Sequence, residues 1–261
     1  MQLRTRSGTR ALAALAIAGA PTFALAQGVP LADEALGQVW GQALINLSNS
    51  SANGYDFTRL TLDSTIQLSA NLTGLRLGEY TRTPNGTGAD IDIPAIHFGR
   101  SDLGDDKRTV TITDPYLEFV YKNTGNAATR EVVGMRLGFG GISGDVGLQM
   151  NSVSGSLLID TGATGLVDSS KDPNGGVRWD GSCASCAVLL SQITGVTAGD
   201  ASGASRDFFI SVLKQAVQFQ GAPGMAAPTT AQSGFWLNWT DRLTALGTSG
   251  IIPPNTAKTG P

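Results

Sequence analysis

Between Arg59 and Leu72 the chain alternates strictly between apolar and polar positions. Even positions read Leu60, Leu62, Ser64, Ile66, Leu68, Ala70 and Leu72; odd positions read Arg59, Thr61, Asp63, Thr65, Gln67, Ser69 and Asn71. Side chains on extended backbone point to opposite faces with a period of two, so this stretch predicts a strand with its leucine side buried and its Arg/Thr/Asp side wet. Gly74 interrupts, and Leu75 and Leu77 continue in the opposite parity. A phase flip across a glycine predicts a bulge or bend that keeps the apolar side on one core.

Similar blocks follow. Asp90–Pro94 alternates, and Ile96 and Phe98 resume beyond the proline. Thr109–Thr113 alternates up to Asp114-Pro115, and Tyr116–Lys122 takes it up again. Val133, Met135, Leu137 and Phe139 make a further apolar face, then Ile142, Val146, Leu148 and Met150, and last Val153, Leu157 and Ile159. Short alternating runs separated by Gly, Pro and polar residues predict a mainly β fold, an antiparallel sandwich or open curved sheet with one dry face. The alternative, a β-helix or solenoid-like stack, lacks a fixed repeat. An outer-membrane barrel would alternate throughout, whereas alternation here is strong only from 59 to 160.

Two segments carry helical spacing instead. Leu36, Val39, Trp40, Ala43 and Leu44 predict a short amphipathic helix over 31–44. Phe208, Phe209, Val212, Leu213, Ala216 and Val217, behind Ser205 as N-cap, predict a second over 206–219. Gly162–Ala204 is rich in Gly, Ser, Asp and Asn and reads mostly as loop, and 234–243 as an aromatic strand or short helix. The expected organisation is therefore an export signal at 1–26 and a single β-rich domain at 27–246. Its core strands fall at 55–160 and its loop and helix region at 161–246, and a flexible tail follows at 247–261.

The first 26 residues change the compartment. Arg4, Arg6 and Arg10 precede the apolar run Ala11–Ala20, and Ala24-Leu25-Ala26 supplies a small–x–small cleavage site before Gln27. The run is about 10 residues, too short to span a bilayer, and no later apolar run is long enough for a transmembrane helix in the mature chain. The expected location is periplasmic, outer-membrane-associated or extracellular. With 18 Lys and Arg against 21 Asp and Glu, and the basic residues scattered, there is no electrostatic footprint for nucleic acid. The 2 cysteines, Cys183 and Cys186, are expected to close a small disulfide in an oxidising compartment.

Candidate chemistry is sparse. The 1 histidine, His97, lies among Pro94, Ile96 and Phe98 in a predicted strand, and is expected to be structural. There is no Gly-x-Ser-x-Gly elbow. Leu158-Ile-Asp-Thr-Gly-Ala163 resembles the active-site string of retropepsin-type aspartic peptidases, whose chemistry needs two carboxylates sharing a proton. One copy would demand a homodimer acting through Asp160; an ordinary Asp–Gly turn is the plainer reading. Asp90, Asp92, Asp102, Asp105 and Asp106 lack calcium-loop spacing and sit beside Lys107 and Arg108, so no metal or other cofactor is expected.

Leu31-Ala-Asp-Glu-Ala-Leu-Gly-Gln-Val-Trp-Gly-Gln-Ala43, directly after the export signal, resembles the L-x-D-x-x-L-x-x-V-x-G-Q-A opening of a family of uncharacterised secreted proteins of Gram-negative bacteria. The resemblance continues through Ala89-Asp-Ile-Asp-Ile93, Asp114-Pro-Tyr-Leu-Glu-Phe119 and Ala128–Leu137. It implies a secreted β-rich protein with no catalytic residues, in a family without an established activity. Some of its members look like components of surface or pilus-like systems.

The function expected is accordingly non-enzymatic: structure, adhesion or assembly at the cell surface or in the periplasm, with other surface or outer-membrane proteins as partners. The alternative is a binder of an apolar small molecule, a lipid or hydrocarbon, in a cleft lined by Leu60, Leu62, Ile66, Leu68, Val133, Leu137 and Phe139 and gated by the helix at 206–219.

Overall fold

The computed structural model describes residues 44–82, 86–182 and 188–258. The export signal, the helix expected at 31–44 (save Leu44) and the Cys183–Cys186 pair lie outside the described residues. The strands are β1 (Ile45–Ala52), β2 (Tyr55–Leu62), β3 (Thr65–Leu68), β4 (Ala70–Leu77), β5 (Tyr80–Arg82), β6 (Gly86–Gly88), β7 (Ile91–Phe98) and β8 (Val110–Lys122). They continue as β9 (Glu131–Gln149), β10 (Ser152–Val153), β11 (Gly155–Asp160), β12 (Leu166–Asp168), β13 (Gly195–Ala198), β14 (Phe209–Leu213), β15 (Gly234–Trp239) and β16 (Leu243–Gly247). The fold is mainly β, with 53% of it strand and 6% helical. No described helix is long and apolar enough to cross a membrane.

One mixed 14-stranded sheet dominates, and two strands organise it. The first part of β9 pairs with β8 and β14, and its last part with β7 and β13. Strand β11 does the same at the other end: Gly155–Leu157 runs parallel to β15, while Leu158–Asp160 meets β12 and Asp160 meets β16. Both paths out of β9, through β14–β15 and through β13–β16, thus end on β11. Glycine permits β9 to change partners. Gly140 lies opposite Asp114, itself at φ 49, and Gly144 has φ 123, with an added Cβ only 3.2 Å from the Val110 Cα.

The main core includes Ile142, Val146, Leu148, Ile159, Val196 and Trp239, all fully or almost fully buried. A second cluster forms on the far side of the β2–β8–β9–β14 lobe. There Phe57, Val120, Val133 and Leu213 are covered by Val217 and Phe219 from the connection between β14 and β15, which is pinned by the Val217–Ala231 backbone pair. Burying one such side chain contributes about 1.5–3 kcal/mol.

One expectation is corrected. Residues 206–219 do not form a helix: Phe209–Leu213 is a strand hydrogen-bonded to β9 on one side and β15 on the other. The helical spacing arose because neighbouring residues serve different cores, Phe208 the main one and Phe209 the second. In the described part of the C-terminal segment, Asn255 is the main point of attachment. Asn255 is 6% exposed, and its Nδ2 donates to Ser69 Oγ, the Phe98 carbonyl and the Arg108 carbonyl at 2.8–2.9 Å. Its Oδ1 accepts from Ser101 N, and its backbone exchanges two hydrogen bonds with the Asn71 side chain.

Candidate functional site

The β2–β8–β9 lobe has two faces of opposite and unexpected character. Strand register puts Leu47, Leu60, Leu117, Leu137 and Ile210 in one cross-strand row. Leu117 and Ile210 are half-buried, but Leu47 is 63%, Leu60 42% and Leu137 53% exposed. The next row carries Phe119, Met135 and Val212, and Ile45 and Leu62 extend the patch at the other end. Isolated exposed leucines are ordinary; a run of them across neighbouring strands marks a surface for something else to cover.

The reverse face should have been the wet one. It holds the row Arg59, Glu118, Arg136, Ser211 and Trp236. Arg136 donates Nε–H to Glu118 Oε2 at 2.6 Å, and Arg59 Nη2 lies 3.2 Å from both Glu118 oxygens. The Arg136 guanidinium stacks 4.2 Å from the Phe219 ring centroid, and Arg59 lies 4.2 Å from that of Tyr116. Burial beneath the 214–233 connection is why these charges are paired: an ion taken out of water needs a counter-charge and hydrogen bonds. The same burial pushes the Tyr116 phenol pKa up, against the opposing pull of Arg136 and Arg59.

Beside this row the connection leaves a cavity of about 590 Å³. Its floor includes Arg59, Tyr116, Arg136 and Phe209, its rim Arg206, Asp207 and Thr240, and its roof Ala222, Pro223, Met225 and Pro228. Gly138 allows Tyr116 to lie flat over β9, since a Cβ there would come within 2.5 Å of Tyr116 Oη. The sequence carried one signal for this site: single charges set inside apolar strands, Glu118 in Tyr-Leu-Glu-Phe-Val and Arg136 in Gly-Met-Arg-Leu-Gly.

The seven residues expected to line an apolar cleft do not share one surface. Leu60 and Leu137 are on the exposed face, with Leu62 at its margin, and Ile66 is 39% exposed on β3. Leu68 packs on the main core, and Val133 is fully buried in the second cluster. Phe139 stacks on Phe208 with ring centroids 5.0 Å apart, and it reaches the arginine-floored cavity instead. No gating helix exists at 206–219, for the reason given above.

The remaining candidates sit in ordinary local structure. His97 is buried with Nδ1 3.0 Å from the Pro253 carbonyl. Asp160 is exposed, and its Oδ1 accepts the Gly162 amide in a tight turn. Asp90 faces Arg178, Asp92 faces Arg76, Asp102 is paired with Arg100, Asp105 with Arg108, and Asp106 with Lys107. Among the described residues no group of three His, Cys, Asp or Glu could hold a metal ion. In comparisons with known proteins, no family model, curated sequence or solved structure matches the chain.

Proposed function

We propose that the chain is an exported, non-enzymatic protein of the cell surface or periplasm, and that it works by associating with another surface or outer-membrane protein through the uncovered face of its sheet. The observation that carries the reading is the Leu47–Leu60–Leu117–Leu137 row, hydrogen-bonded into one sheet yet exposed along most of its length. The patch spans roughly 19 Å across five strands at ~4.8 Å spacing. That extent matches the apolar centre of a protein interface, with Asn49 and Thr58 beginning a polar rim. An uncharged, leucine-lined sheet face of this kind favours another folded protein over a single small molecule, which would need a concave site.

Support for export comes from the Arg-rich, apolar, Ala-x-Ala opening of the chain, and for a surface role from the motif resemblance at 31–43. The test is fractionation of the native host combined with Leu60→Lys/Leu137→Lys. The reading expects the chain outside the cytoplasm, cleaved near Gln27, and released from its envelope fraction by the double substitution. A cytoplasmic chain retaining residues 1–26, or an envelope association indifferent to both lysines, would refute it.

A further inference from the structure

We propose that the cavity beside the arginine row binds a single-chain amphiphile with an anionic carboxylate head, such as a medium-chain fatty acid. The site lies on the opposite side of β2, β8 and β9 from the leucine row, so it is independent of association through that face.

The head-group end follows from the charges. Arg59 and Arg136 share one carboxylate, Glu118, leaving that partly buried set one positive charge in excess. Arg136, 3% exposed, is the closer partner of Glu118, whereas Arg59 pairs at 3.2 Å with 30% of its side chain exposed, so the excess charge sits toward the open edge of the set. Tyr116 is 8% exposed and lines the same cavity, with a hydroxyl able to donate to a bound oxygen. Arg206, on the rim, has a buried Nε with no hydrogen-bond partner among the described residues.

Two other carboxylates border the space and do not fill this role. Both oxygens of Asp207 are occupied by the turn that follows β15, accepting from Thr240 N, Thr240 Oγ1, Asp241 N and Asn238 Nδ2. Asp114 also lines the cavity and is exposed, so its charge is the better screened of the two. An incoming carboxylate against Arg136, Arg59 and Tyr116 would be met by charge-assisted hydrogen bonds, the strongest kind such a head group can form.

The tail end follows from the roof. Gly221-Ala-Pro-Gly-Met-Ala-Ala-Pro228 carries no charged side chain, and Met225 adapts to irregular apolar shapes. A volume of about 590 Å³ lies within the range of small-molecule sites. The cavity is thus polar and cationic at its floor and apolar above it, which selects against a neutral hydrocarbon and against a bare inorganic anion alike.

Isothermal titration of the purified chain with octanoate, octanol, butanoate and inorganic phosphate tests the proposal. Octanoate is expected to bind at one site, at least ten-fold more tightly than octanol. The affinity should rise about three- to four-fold per added methylene from butanoate to octanoate. Phosphate should not compete at millimolar concentration. Arg136→Gln removes one partner of a buried pair and risks the fold, so the decisive variants are Arg59→Gln and Arg206→Gln at the half-exposed edge. Each should weaken octanoate at least five-fold and leave octanol unchanged, while Leu137→Lys on the other face should leave both unchanged. Equal affinity for octanoate and octanol, insensitivity to both arginine variants, or sensitivity to Leu137→Lys would mean adsorption on the outer leucine face and would overturn the assignment, as would no binding at all.

Discussion

Arg136 and Leu137, neighbours in β9, are placed against their polarity: the arginine is 3% exposed and the leucine 53%. Alternation alone would put the leucine inside. The inversion has a physical cause on one side, where the 214–233 connection lays Val217 and Phe219 over the arginine and Glu118 neutralises it. On the other side, nothing among the described residues covers the leucine. Charge is sheltered and leucine exposed on the same strand, and the proposed association with another protein rests on that inversion.

The buried triad predicts an asymmetric response to mutation. Glu118→Ala leaves Arg136 buried without its counter-charge and should cost about 3–5 kcal/mol, read as a shift in the urea midpoint. Replacing all three partners together with apolar residues of similar volume, as in Arg59→Met/Glu118→Leu/Arg136→Met, should be close to neutral. If the triple variant loses as much as the single one, the ion pairs themselves hold the lobe together.

Tyr116 predicts a loss of stability at alkaline pH. A tyrosine in the unfolded chain ionises near pH 10. Burial holds the Tyr116 phenol neutral above that value in the folded state, so above about pH 10 the unfolded chain carries fewer protons and stability falls as pH rises. Ultraviolet titration should find one of the 4 tyrosines ionising only as the protein unfolds, and Tyr116→Phe should flatten the alkaline limb of the stability curve.

Asn255 predicts that the C-terminal segment matters to the fold. Asn255→Ala strands the Phe98 and Arg108 carbonyls and the Ser101 amide, each unsatisfied group costing about 1–3 kcal/mol where it stays dry. Gly99, at φ 100, passes so close that a Cβ there would lie 2.6 Å from Asn255 Nδ2. Gly99→Ala should therefore lower the melting temperature as Asn255→Ala does. A variant ending at residue 250 that melts like the full chain would contradict this.

The β character was legible because its signal is local: a two-residue period at 109–122 and 131–139 needs no knowledge of the rest of the chain, whereas the single strand expected over 59–72 is divided among β2, β3 and β4. The expected effect of Gly74 was not found: β4 stays in one register with β7 across it, so Leu72 is exposed while Leu75 and Leu77 pack on the core, on the opposite face. Which side would be covered was not legible, because that depends on a connection more than seventy residues downstream folding over Arg59 and Arg136. The helix expected at 206–219 failed for a related reason, since Phe208 and Phe209 each belong to a different core and together imitate a helical face. The hold on Asn255 rests on Ser69, Phe98 and Arg108, partners that no local pattern brings together.

The outer face gives the cleanest separation of stability from association. Leu137→Lys and Leu60→Lys alter exposed positions and should change folding free energy by no more than about 0.5 kcal/mol. Both should nevertheless weaken binding to the partner, because a lysine at the centre of an apolar interface must be desolvated without a counter-charge. Matched substitution at Thr58, on the polar rim, should have a smaller effect.

The most direct measurement is site-specific photo-crosslinking in the native host, with the reactive group at position 137, at position 60, and at buried Val133 as control. The account predicts a discrete crosslinked adduct with an exported or outer-membrane protein from 137 and 60, none from 133, and its loss on Leu47→Lys. An outer face that stays uncrosslinked in the cell while the protein remains folded and exported would contradict it.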